Sequence, residues 1–359
     1  MKYTQSEISL IAADSLRELT YKQKKLLLAS VNPANADRQK YAEALIKIEG
    51  SGVYNKIKEK ISDKNYLSRL LSSYEKRGIS CVTIKSEKYP ERLKHINAPP
   101  LVLYTRGNVK LLSDRLFAVV GSRRTTQAVL EQCRRVTERL SEKLTVVTGI
   151  ADGGDSAAVN GAIESGRIIC VLPGGHDSDC SPNRTLLRSV EERGLTISEY
   201  PPETPVQKHT YIMRNRIIAA LGEGVLVVSA GEKSGALSTA SFAADYSRDV
   251  FAFPYGIGVS SGKGCNRLIK EGAYLAECAE DIFSILGIEY EGEAAAQEEL
   301  SGDEEKVVAA LKDGDELHAE RLATVTGMKL TDLLTVCSLL EIKGIIVRNA
   351  SNTFTLLPK

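Results

Sequence analysis

Between Leu116 and Pro254 the chain alternates short apolar runs with segments of helical length. FAVVG, TVVTG, IICVLPGG, TISEY, GVLVVSA and DVFAFP are separated by stretches such as TTQAVLEQCRRVTERLSEK and SGALSTASFAADYSR. Runs that are apolar at consecutive positions belong to strands covered on both faces, and helices between them supply both the cover and the crossover that parallel strands require. The pattern predicts an α/β fold, a Rossmann-like doubly wound parallel sheet over residues 117–288. In such a sheet ligands bind beyond the carboxyl ends of the strands, so the residues that follow each run are where function is sought.

The flanks read differently. From Ser6 to Leu71 apolar residues recur at spacings of three and four (Ile8, Ile11, Ala12, Leu16, Leu19), which predicts a small helical domain of the SAM-like kind over 1–80. Residues 81–116 hold the strand-like ISCVTI and LVLYT, punctuated by Pro90, Pro99 and Pro100, and are expected to be an extended connection into the sheet. EYEGEAAAQEELSGDEE carries no basic residue and marks an acidic linker over 289–303. Over 304–359 three helical patterns precede two strand-like runs, IIVRN and TFTLL, the order of a winged helix.

Composition closes off several classes. At 43% hydrophobic and 26% charged residues a packed core is available. The apolar runs fall far short of the roughly 18 residues a membrane span requires, and the N-terminus lacks the apolar core of a secretion signal, so a cytoplasmic protein is expected. Seven cysteines, at 81, 133, 170, 180, 265, 278 and 337, form no CxxC pair and read as free thiols. The net charge of +1 conceals an asymmetry: residues 1–116 carry 22 Lys and Arg against 12 Asp and Glu, and residues 289–359 carry 7 against 14. A basic block at one end and an acidic one at the other suits a protein that binds a polyanion.

Six segments around the predicted strands could hold an anion. In GSRR, Gly121 to Arg124, glycine admits close approach to the backbone, and Ser122 and Arg123 add donors at a helix start. It is not GxGxxG, and no acidic residue ends a second strand, which disfavours a dinucleotide cofactor. TGIADGGDSAA, Thr148 to Ala158, has Asp155 placed to cap a helix. LPGGHDSDCSPNR has Gly174 and Gly175 for phosphate oxygens, while His176, Asp177 and Asp179 lack the spacing of a metal site. MRNRIIAALG sets Arg214, Asn215 and Arg216 at the start of an apolar helix, and guanidinium forks are good phosphate ligands. EKSGALSTASFA and GKGCNRLIKEGA contribute Ser234, Gly235, Thr239, Asn266 and Lys270. No nucleophile–base constellation or GxxxxGK[ST] loop accompanies them, so these residues read as ligand holders with no catalytic residues, cofactor or metal among them.

VVGSR, TGIADGGD, SEYPPETP, RNRIIAAL, SGALSTA, FAFP and CNRLIKEGA resemble, in order and spacing, the motifs of the DprA/Smf family, the DNA-processing protein of natural transformation. The resemblance implies a Rossmann-like domain that binds single-stranded DNA, a homodimer built through it, and delivery of that DNA to the RecA recombinase. It carries phosphate binding over to Gly121, Ser122, Arg123, Arg214, Asn215, Ser234, Gly235 and Thr239, and then to Arg216, Asn266 and Lys270. Tyr211 and Ile212 stand where the family has Phe-Pro, and Val159 where it has histidine. The alternative is a nucleotide-processing enzyme of the LOG phosphoribohydrolase type, whose loop reads PGGxGTxxE; here PGGHDSDCS lacks the glutamate. The presumed recognition helix of the last domain, Lys329 to Lys343, has only those two basic residues, so a protein contact or packing role is expected there.

Overall fold

The computed structural model describes residues 3–30, 60, 63, 65–179, 183–290, 300–312, 316–349 and 351–357. Most of the acidic linker and residues 31–59 of the helical domain lie outside these, as does Cys180. In chain order the elements are α1 (Gln5–Asp14), α2 (Tyr21–Ser30), α3 (Tyr66–Lys76), β1 (Ser80–Thr83), β2 (Val102–Gly107), β3 (Leu116–Gly121), α4 (Gln127–Ser141), β4 (Thr145–Thr148), α5 (Gly154–Ala162), β5 (Ile168–Val171), α6 (Arg184–Arg193), β6 (Leu195–Ser198), α7 (Lys208–Leu221), β7 (Gly224–Ser229), α8 (Ala236–Asp245), β8 (Asp249–Ala252), α9 (Lys263–Lys270), β9 (Tyr274–Leu275) and α10 (Ala279–Ile285). A separate C-terminal unit holds α11 (Gly302–Ala310), β10 (Leu317–His318), α12 (Ala319–Thr326), α13 (Leu330–Ile342), β11 (Ile346–Arg348) and β12 (Thr353–Leu356).

Nine strands form one sheet in the order β1-β2-β6-β5-β4-β3-β7-β8-β9. Strand β3 shows why the continuous apolar runs matter. Its alternate residues Leu116, Ala118 and Val120 point into one core layer with Ile217, Ile218 and Ala240 of α7 and α8. Phe117 and Val119 point into the other, with Cys133 and Val136 of α4 and Val159 of α5. Every residue in that run from 116 to 120 is therefore buried, which a strand with one wet face would not require.

The sheet is parallel from β6 across to β9, but β2 pairs antiparallel with both β6 and β1. The strands from β3 to β9 are thus all parallel, as expected, and residues 81–116, expected to be an extended connection, do more than connect: they complete one edge. The reason is burial on both faces there too. Val82 and Leu103 join one core layer of the sheet, while Cys81, Val102 and Tyr104 pack against Leu10 and Ile11 of α1 and Tyr74 of α3. The Tyr104 hydroxyl donates to Asp14 Oδ2 at 2.9 Å, fastening α1 to the sheet edge.

The C-terminal unit has its own core around Val307, Leu322, Leu333, Leu340 and Phe354, and its three strands pair antiparallel in the order β10-β12-β11. Among the described residues no single helix is long and apolar enough to cross a membrane.

Candidate functional site

The chain leaves β3 for β4 on one side and returns, through β6 and α7, to lay β7 on the other side of β3. This reversal is a topological switch point, where the connections diverge and open a crevice at the carboxyl ends of the strands. The turn after β3 is fixed to β7: Ser122 N–H donates to Ser229 O at 2.9 Å, and the two hydroxyls lie 2.7 Å apart. The N-terminus of α5 comes up against the same turn, with Gly154 N–H donating to Ser122 O at 3.2 Å. Gly153 has φ of 83°, and a Cβ there would stand 2.3 Å from Ser122 O, so both the backbone conformation and the close approach require glycine.

Of the residues singled out in the sequence, Gly121, Ser122, Arg123, Arg214, Asn215, Gly235 and Thr239 line one crevice of about 260 Å³. Ser234 lies just outside it, its Oγ accepting from Ala236 N–H at 3.3 Å at the start of α8. The other three are elsewhere. Asn266 is occupied with the backbone of Tyr255, accepting from its N–H at 3.0 Å and donating to its carbonyl at 2.8 Å. Lys270 is exposed in the last turn of α9, whose first turn is the one hydrogen-bonded behind β7 through Gly264 and Ala230. The RNR stretch, expected at the start of its helix, lies well inside α7, which begins at Lys208, and Arg216 is buried on another face of that helix and ion-paired with Glu199.

Charge in the crevice is layered. At its rim Arg123 is exposed, as is Arg124 next to it in the chain, and neither makes an ion pair with a described carboxylate. The Arg123 guanidinium sits over the Tyr211 ring, 5.3 Å from its centroid, which holds a flexible cation in place at the opening. Deeper, Arg214 is only 5% exposed. Its Nη1 donates to Val171 O at 2.6 Å and its Nε to Asn215 Oδ1 at 3.1 Å, while Nη2 stands 3.9 Å from Asp155 Oδ2. Asn215 in turn donates to Ser238 Oγ at 3.0 Å, joining α7 to the start of α8. Burial pushes the Asp155 carboxyl above its usual range, against the opposing pull of Arg214 and the N–H groups of Ala151 and Gly121. The Thr239 hydroxyl is buried and has no partner among the described residues.

Such an arrangement, with exposed cations over a floor of glycine backbone and small hydroxyls, suits an anion that stays partly in solvent. The family model described as DNA recombination-mediator protein A matches residues 80–287. The chain belongs to the DprA/Smf family. It is 38% identical over 224 residues to the DNA processing protein DprA of Bacillus subtilis, covering 61% of this chain and 75% of that one. It is 32% identical over 271 residues to the Smf protein of Escherichia coli, covering 72% of each. The crystal structure of Streptococcus pneumoniae DprA superposes with a TM-score of 0.67 at 29% identity, over 81% of this chain and all of that one. A Helicobacter pylori DprA structure, described for its single-stranded DNA binding mode, superposes with a TM-score of 0.53 at 27% identity, over 58% of this chain and 95% of that one. These matches do not favour the phosphoribohydrolase alternative.

Two more of the segments singled out in the sequence serve the fold around the crevice. The PGG loop is closed by its own neighbours: a Cβ on Gly175 would meet the carbonyls of Pro201 and Pro202 at 2.2 Å, and Ser198 Oγ donates to Gly174 O at 2.7 Å. Within it His176 turns to Thr196 Oγ1 at 3.1 Å, and Asp177 pairs with Arg77 and Arg106, so the two do not converge on a metal. Asp155, expected to cap its own helix, instead accepts from the N–H of Ala151 before it. Tyr211 and Gly149 were not among the expected site residues. Tyr211 lies one helical turn before Arg214 and so on the same face, a signal available from spacing alone. Gly149 has none: a Cβ there would fall 2.1 Å from Asp155 Oδ2 and 2.4 Å from Arg214 Nη1, a requirement that only the folded pair creates.

Proposed function

We propose that this chain binds single-stranded DNA through its backbone phosphates, without base specificity, in the crevice between β3 and β7. The observation that carries the reading is the exposed guanidinium of Arg123, in no ion pair with a described carboxylate, in a crevice lined by the Gly121–Ser122 turn and the first turn of α8, with the exposed Arg124 next to it in the chain. Phosphate neutralised by such groups releases counterions, so binding weakens steeply with salt. The basic surplus of residues 1–116 adds long-range attraction. The Helicobacter pylori relative, described as binding single-stranded DNA, supports the same ligand class.

In the cell the role is that of a cytoplasmic DNA-processing factor in uptake and transformation, a binder and not an enzyme. It protects incoming single strands and loads RecA for homologous recombination, as a homodimer through its sheet domain. The N-terminal helices act as a SAM-like unit, and the C-terminal unit is a winged helix turned to protein contact.

Fluorescence-anisotropy titration of a labelled single-stranded oligonucleotide, beside duplex of the same sequence and at two salt concentrations, tests this. Salt-sensitive, single-strand-preferring binding that Arg123→Ala and Arg214→Ala each weaken is expected. Binding indifferent to both substitutions would move the DNA elsewhere on the chain.

A further inference from the structure

The RNR stretch sets two arginines two positions apart on α7. At 3.6 residues per turn they differ by about 200° around the helix, so they cannot serve the same side. Arg214 and Asn215 line the crevice. Arg216 points away and is 6% exposed, its Nη2 on a carboxylate oxygen of Glu199. Its Nε and Nη1, and the second Glu199 oxygen, meet no hydrogen-bond partner among the described residues. Its charge acts on the phenols of Tyr21, Tyr89, Tyr200 and Tyr246, from α2, the loop before the Glu91–Lys94 turn, the loop after β6 and the end of α8. DNA in the crevice does not reach it.

A buried ion pair with unsatisfied polar atoms is a poor source of stability, since two apolar side chains of similar volume do as well or better. What the pair does supply is direction. Glu199 immediately follows β6, whereas Arg216 lies past the connection YPPETPVQ and two turns into α7. Their contact therefore ties the helix to the strand end across a loop rich in proline. We propose that Arg216 is a positioning residue, whose pair with Glu199 fixes the rotation of α7 and so presents Arg214, Asn215 and the Tyr211 ring to the crevice. This rests on the single-stranded DNA reading above and assigns Arg216 a role other than phosphate contact.

The test uses the full chain, with anisotropy titrations across a salt series and thermal unfolding of the same samples. The variants are Arg216→Met combined with Glu199→Leu, Glu199→Gln alone, and Arg123→Ala as the contact control. The double variant should keep a melting temperature near that of the wild type and bind the labelled oligonucleotide about tenfold more weakly, the size of coupling within one network. Its salt slope should stay that of the wild type, while Arg123→Ala lowers the slope by roughly one. Wild-type affinity in the double variant overturns the proposal, and so does a slope that falls as it does in Arg123→Ala, because Arg216 would then touch phosphate. Should the double variant fail to fold, Glu199→Gln decides: weaker binding at an unchanged slope supports positioning, and unchanged binding overturns it. A wild-type chain that binds no single-stranded DNA at all refutes the function itself, a result distinct from any of these.

Discussion

Gly121 and Gly154 face each other at the floor of the crevice with no room for a side chain on either. A Cβ on Gly154 would fall 2.5 Å from the Gly121 Cα, and one on Gly121 would fall 2.9 Å from the Gly154 Cα. Both neighbours are backbone, so neither can swing aside. Gly154→Ala should push the start of α5 off the turn after β3 at a cost of about 1–3 kcal/mol, the usual range for overpacking. Urea unfolding measures that loss. The same variant should bind single-stranded DNA more weakly, because the turn that carries Ser122 and Arg123 moves with the helix.

Arg123 is exposed, with its guanidinium over the Tyr211 ring. Arg123→Ala should leave stability within about 0.5 kcal/mol. It should weaken single-stranded DNA binding equally for all homopolymers and reduce the salt slope by roughly one. Unequal losses across homopolymers would reveal base contacts instead.

Arg214→Ala should behave differently although the residue is three positions from Tyr211 on the same helix. Its guanidinium bonds Val171 O and Asn215 and faces the buried Asp155. Removing one member of a buried pair leaves the other uncompensated, at a cost on the order of 3 kcal/mol. The variant should therefore lose both stability and DNA affinity, and Asp155→Asn should recover part of the stability when combined with it. Differential scanning calorimetry of the two single variants and the double closes that cycle.

These two arginines show how far the sequence could be read. The run from Leu116 to Val120 announced a strand buried on both faces, and the glycines and basic residues after successive runs announced a shared edge, because strand ends of one sheet converge. The antiparallel edge formed by β1 and β2 was less legible. SCVT and VLYTRG are short and pair with each other, and the strand that joins VLYTRG to the sheet, β6, lies some ninety residues further on, a pairing that no local period encodes. Nor could spacing separate Arg123, exposed at the rim over Tyr211, from Arg214, spent inside, and Arg216, paired behind the helix. Burial and partners decide those roles, and they arise only once α7 has docked.

His176 makes acid sensitivity predictable. Burial, reinforced by the positive charge of Arg106, pulls its imidazole down from 6.5 to about 3. The folded chain keeps it neutral while the unfolded chain takes up a proton below about pH 6.5. Because the unfolded state binds more protons in that window, stability rises with pH between about 3 and 6.5 and is lost as the pH falls through it. At pH 4.5 the loss from this one group is on the order of 3 kcal/mol. In His176→Gln the melting temperature should fall less between pH 7 and pH 4.5 than in the wild type; equal slopes would mean that other groups carry the acid response.

The C-terminal unit should prove dispensable for DNA binding. The helix expected to enter a groove, α13, is flanked by Lys329 and Lys343, and Lys343 is engaged with the buried Glu304 carboxylate at 2.8 Å. One free lysine makes a poor groove reader, whereas Leu330, Leu339 and Ile342 of the same helix are exposed apolar side chains, a surface suited to protein contact. The unit has a core of its own, so deleting residues 296–359 leaves the two layers around the main sheet intact. The truncated chain should bind single-stranded DNA with an unchanged salt slope, since no phosphate contact is lost. Its affinity at low salt should equal or exceed that of the full chain, because the segment removed is acidic. A fall in both affinity and slope on truncation would assign phosphate contacts to this unit and move part of the interface off the sheet edge.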